Sequence, residues 1–142
     1  MIEIVKRQAE SFVGLTIPEG KPGRPGPGRE LVDYTVERIR DRGISEIFVV
    51  YAASPPPRTF TVVVGYPCDS TDKMEPGDVL VGVLSGYFAR FCCEDESEPD
   101  ALAETWSVAD YAAARGRIER AFTEDLEVHH PDGSVELFLS LY

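Results

Sequence analysis

Strand-type and helix-type patterns follow one another along this chain in the order ββαββ, and then in the same order again. Residues 2–7 and 11–17 alternate as strands around a turn near Gln8–Glu10. Residues 30–42, ELVDYTVERIRDR, place Leu31, Val32, Thr35, Val36 and Ile39 on one helical stripe, and Gly43 fits the position that ends such a helix. ISEIFVVYAA and RTFTVVVGY are β-branched and aromatic runs on either side of a turn at Ser54–Pro57. After a polar loop over 67–78 the plan returns. VLVGVLSGYFARFCC predicts a hairpin about the two-residue turn Ser85-Gly86. A helix is expected from about Glu98, opened by a capping box at Ser97–Asp100. Its buried stripe is Leu102, Trp106, Ala109 and Ala113, and Gly116 ends it. Two last strands, near 125–130 and 135–141, flank Pro131–Ser134.

This order implies one α+β domain over 1–142, built from duplicated ββαββ halves at about 1–68 and 78–142. Joined edge to edge, the halves would make a curved antiparallel sheet with two helices on one face and a ligand cleft at the junction. Pro18–Arg29, PEGKPGRPGPGR, has four prolines and four glycines in twelve positions. It is expected to be a loop, either a plain connection or a lid over a site.

Charge narrows the functions. Fourteen Lys and Arg against 25 Asp and Glu leave −11, which repels phosphate backbones and anionic membranes. Neither nucleic acid nor membrane is expected as a partner. The N-terminus lacks the apolar stretch of a signal peptide, and no run approaches the ~18 apolar residues of a membrane span. Three cysteines, two of them adjacent, make no disulfide framework, so a cytoplasmic setting is expected. A metal shared by Cys92, Cys93, His129 and His130 is disfavoured, because neighbours in a strand point to opposite faces. No metal or cofactor is expected.

The strands also assign faces. A four-residue loop at 131–134 pairs His130 with Val135, Val128 with Leu137 and Leu126 with Leu139, an apolar face expected to pack on a helix. The opposite face then carries Glu127, His129, Glu136 and Phe138, an acidic and aromatic surface on the cleft or solvent side. The Ser85-Gly86 hairpin puts Leu80, Ala89 and Phe91 in the core. Phe88 and Arg90 go to the cleft side, because an unpaired buried cation is costly. Tyr51, Tyr66 and Trp106 are further pocket candidates. Trp106 has an equally simple reading as core, and Tyr34 and Tyr111 read as half-exposed packing on the helices.

In three stretches the chain resembles the GyrI-like family, the effector-binding domain of bacterial multidrug-responsive transcription activators. MIEIVKRQAESFVGL resembles the family's opening hairpin. FTVVVGY, a polar loop and VLVGVLSGYFARF resemble its central strands and Gly-x-Tyr-Ala-x-Phe segment. DLEVHHPDGSVELFLSLY resembles its closing Phe-Glu-x-Tyr, Pro-Asp and strand. The resemblance implies the duplicated fold and gives Glu127 the role of the pocket carboxylate. His129 stands where the family has an aromatic residue, Phe88 where it has tyrosine, and Pro67 where it often has an acidic residue.

A stand-alone member of such a family would bind a small organic, cationic or aromatic compound, for sensing or sequestration. A carboxylate in an apolar pocket is poorly solvated, and a lipophilic cation both neutralises it and stacks on the rings. The resemblance also implies two alternatives. One is hydrolysis of a strained electrophile, with Glu127 as general acid or base and His129 and Glu136 as a proton relay. The other is a protein-directed role in modulating a topoisomerase. Edge strands of such a sheet could also pair with a second copy of the chain.

Overall fold

The computed structural model describes residues 2–20, 27–53, 60–72, 74–93, 101–121 and 123–142. It is an α+β protein with eight antiparallel strands in one open sheet and two helices. In chain order the elements are β1 (Glu3–Arg7), β2 (Glu10–Gly20), α1 (Pro27–Arg40), β3 (Ile47–Ala53) and β4 (Phe60–Pro67). They continue with β5 (Val79–Val83), β6 (Gly86–Cys93), α2 (Ala101–Ala114), β7 (Glu124–His129) and β8 (Val135–Ser140).

The ends of the proline-glycine segment are more regular than its composition suggests. β2 continues through Pro18 to Gly20, with a register shift between Ile17 and Gly20 where the proline sits. Proline is tolerated in a strand at such an irregularity because no ladder donor is needed there. α1 starts at Pro27, the helical position where a missing N–H costs nothing. The lid reading therefore narrows to residues 21–26, which lie outside the described residues, as do the turn at 54–57 and the capping box at 97–100. α1 ends as expected, with Gly43 at φ 89° donating to the Arg40 carbonyl at 2.9 Å.

The strand order is β1-β6-β8-β7-β3-β4-β2-β5. Raising every label by four and reading from the other end gives the same order. The expected hairpins of β1 with β2 and of β5 with β6 do not form. β1 pairs with β6, and β5 pairs with β2. β1 and β2 stand six strand spacings apart in the order, about 29 Å in a flat sheet. Yet Arg7 and Glu10 are three peptide steps apart, at most about 11 Å of chain, and their side chains form an ion pair at 2.6 Å. β5 and β6 stand in the same relation through Leu84 and Ser85. The sheet must therefore roll until its ends approach.

Rolling creates two cores. Outside, α1 and α2 cover the sheet with Val32, Val36, Ile39, Trp106, Ala109 and Ala112, packed on residues such as Val49, Val64 and Leu137. Inside the roll, Phe12, Phe48, Val50, Phe88, Leu126 and Phe138 bury one another, with Phe12 and Phe48 ring centroids 4.8 Å apart. The Arg7 guanidinium lies 4.6 Å from the Phe138 ring centroid and 5.8 Å from that of Phe48. Ala89 and Phe91 join the helix-side core as expected, but Leu80 is 46% exposed. β5 stands at the edge of the sheet, paired with β2 alone rather than against β6.

Candidate functional site

β3 and β7 are the central pair of the sheet, and Val49 lies opposite Glu127. The observed β7–β8 register pairs His129 with Val135 and Glu127 with Leu137. The connecting loop has five residues rather than four, with Gly133 at φ 92° and its N–H donating to the His130 carbonyl. A one-residue slip carries one strand's side chains to the other face. Glu127 and His129 therefore share the helix-covered face with Leu137, and Phe138 and Glu136 stand on the opposite face. The face assignment drawn from the sequence is corrected accordingly: Glu127 lies beneath the helices.

There the Glu127 carboxylate is fully buried and densely bonded. Its Oε2 accepts from Trp106 Nε1 at 2.7 Å, Tyr51 OH at 2.9 Å and Arg29 Nη1 at 2.9 Å. Its Oε1 accepts from Arg29 Nη1 at 3.0 Å and lies 2.9 Å from His129 Nε2. Each partner arrives on a different element: Tyr51 on β3, His129 on β7, Trp106 on α2 and Arg29 on the first turn of α1. Tyr51 and Trp106 meet edge to face, with centroids 5.6 Å apart. Arg29 Nη1 is also 3.3 Å from the Tyr51 hydroxyl, and its Nε and Nη2 donate to Asp33 at 3.1 and 2.8 Å.

The electrostatics follow from that arrangement. Burial pushes the Glu127 carboxyl up, but the Arg29 guanidinium and the His129 and Trp106 contacts outweigh it, leaving the group at about 2. For Arg29, burial opposes the charged form, yet Glu127, Tyr51 and Asp33 together raise its pKa. The Tyr51 hydroxyl is pushed well up, first by burial and then by the negative charge of Glu127. The site is thus a buried carboxylate–guanidinium pair with aromatic walls, ionised at neutral pH.

Of the residues singled out from the sequence, Glu127, His129, Tyr51 and Trp106 come together here. Phe88 and Phe138 lie inside the roll. Tyr66 packs, partly buried, against the helix-side core. Glu136 belongs to a separate network with Arg90 and His130, in which Arg90 Nη1 also reaches Glu3 at 2.7 Å. Tyr34 and Tyr111 are exposed. Arg29 was missed, because the proline-glycine composition around it hid a helix start. Pro27 was the available signal, since proline two residues earlier is what a first helical turn favours.

No family profile and no curated protein sequence matches the chain. Solved structures do resemble it in fold. An integron cassette protein from the mobile metagenome of Vibrio cholerae, VCH_CASS2, superimposes with a TM-score of 0.76 at 18% identity, covering 99% of this chain and 95% of that one. SAV2435, whose structure holds tetraphenylphosphonium, gives 0.73 at 8% identity, covering 100% and 94%. A Staphylococcus aureus MU50 protein provisionally described as a bacterial transcription regulation protein gives 0.66 at 7% identity, covering 99% and 97%.

Proposed function

We propose that this chain is a small-molecule-binding protein whose pocket is organised around Glu127 and takes lipophilic cationic or aromatic compounds. The observation that carries the reading is the buried Glu127 carboxylate, held in the middle of the sheet by groups from both helices. A buried anion selects for positive charge, and Tyr51 and Trp106 supply the rings a lipophilic cation needs. The similarity in fold to a protein bound to tetraphenylphosphonium supports the same class of ligand. Within this reading the chain is a single GyrI-like domain, and the strand order that maps onto itself supports a duplicated ββαββ layout. Sensing or sequestration of such compounds in the cytoplasm would be its role.

The hydrolytic alternative is less well supported. A carboxyl held at about 2 is a weak base and carries no proton to donate at neutral pH. The proposed proton relay would also need Glu136, which stands on the other face of the sheet.

Trp106 is the chain's single tryptophan and touches Glu127 directly. Titration with tetraphenylphosphonium should therefore change its fluorescence, and thermal unfolding should shift upward with the ligand. Glu127→Gln should abolish both effects. Binding that persists unchanged in this variant would remove Glu127 from the site and with it the proposed pocket.

A further inference from the structure

Every lone pair of the Glu127 carboxylate is already engaged. Two oxygens offer about four acceptor positions, and they meet Arg29, His129, Tyr51 and Trp106 in five contacts. An incoming cation can reach this carboxylate only by replacing one of those partners. Tyr51, His129 and Trp106 are buried and fixed by the sheet or by the core of α2. Arg29 is differently held. Its long side chain comes from the first turn of α1 and is 13% exposed. Only Nη1 points inward to Glu127, while Nε and Nη2 bind Asp33, one turn further along the same helix and 61% exposed. If Nη1 lets go, Arg29 keeps a counter-ion at the water boundary, and no bare charge is left behind.

We propose that the Arg29 guanidinium holds the place of the ligand's own cation. A ligand binds by displacing Nη1 from Glu127, and the favoured class carries a planar N–H-bearing cation, an amidinium or guanidinium, on an aromatic body. The occupant defines the preference. Nη1 bonds both oxygens of Glu127 and approaches the Tyr51 hydroxyl. A cation with N–H groups restores those bonds, whereas a quaternary one leaves buried acceptors unpaired. This inference rests on the reading of Glu127 as the ligand's carboxylate.

The test uses two probes of matched body, benzamidine and benzyltrimethylammonium, on the full chain at about pH 8, well above the ordinary range of a carboxyl. The native chain should bind benzamidine about tenfold more tightly than benzyltrimethylammonium. Arg29→Gln should tighten both about tenfold, since the internal competitor is gone. Asp33→Asn, at a side chain that is 61% exposed, should weaken both several-fold, because displaced Arg29 then has no counter-ion. If both probes bind, Glu127→Gln abolishes them and neither Arg29→Gln nor Asp33→Asn changes them, displacement is overturned and the binding site stands. Equal affinity for the two probes in the native chain overturns the N–H preference. If neither probe binds the native chain or Arg29→Gln, the binding reading itself fails.

Discussion

Glu127 and Arg29 lie 98 positions apart in the chain and 2.9 Å apart in the fold. The pair fastens the first turn of α1 to the central strand β7, and Trp106 fastens α2 to the same carboxylate. One side chain thus ties both helices to the sheet.

That bond should be visible in acid. The Glu127 carboxyl falls from its ordinary 4.5 to about 2 on folding. A depressed carboxylate pKa adds stability that is complete above 4.5 and disappears as pH falls toward 2. The amount is on the order of 3 kcal/mol. Burial pushes Asp125 the other way, so its protonation works with the folded state in acid. Comparing urea unfolding of the native chain with Glu127→Gln isolates the first effect. The variant should be less stable by about 3 kcal/mol at neutral pH, and the gap should close near pH 2. A gap that does not change with pH would contradict the ionised, paired state of Glu127.

Tyr51→Phe keeps the ring against Trp106 and removes one donor to Glu127. A hydrogen bond to a charged group is worth about 1.5–3 kcal/mol, so stability should drop by that much in denaturant unfolding. A neutral result would show that the hydroxyl bond is not maintained in solution.

Phe138 separates the two faces of the sheet. It lies inside the roll beneath Arg7, away from the carboxylate. Phe138→Ala should cost about 3–5 kcal/mol by leaving a cavity, while cation affinity of the folded fraction stays the same. Loss of binding without loss of stability would place Phe138 in the pocket after all.

Gly14 and Gly65 face each other between β2 and β4. A Cβ on Gly65 would sit 1.9 Å from the Val13 carbonyl oxygen, and one on Gly14 would sit 2.0 Å from that of Val64. Backbone cannot yield as a side chain would, so Gly65→Ala should destabilise by at least about 2–3 kcal/mol in thermal or urea unfolding. A variant of native stability would mean that the two strands separate more easily than this packing implies.

The sequence carried the ten elements because each is a local pattern. Of the expected stripe, Val32, Thr35, Val36 and Ile39 are buried while Leu31 at its border is exposed, and Gly43 and Gly116 adopt the positive φ that helix ends favour. The pairings of β3 with β4 and of β7 with β8 follow from their short connections, but the partners of β1 and β5 were illegible for an equally physical reason. Ser85-Gly86 has the chemistry of a tight turn, but that chemistry says only that the chain bends, not that the flanking strands pair. The β7–β8 register hung on a single residue in the loop at 130–134, and that residue decides which face Glu127 occupies. Strand pairing and resemblance both single out Glu127, but the pairing read from the loop puts it on the wrong face. Its guanidinium partner Arg29 has no such signal, because a buried ion pair leaves no periodic trace in the chain.

The exchange of β1 and β5 between the two ends of the sheet has a consequence in time. Glu3 pairs with Arg90, and Glu10 pairs with Val83. As the chain is synthesised, β1 waits for β6 and the flank of β2 waits for β5. The early segments must stay unpaired until more than half of the protein exists. A long-range ladder of this kind slows the search for the native state. It also means that neither half, cut from the other, carries all the strands its own edge requires.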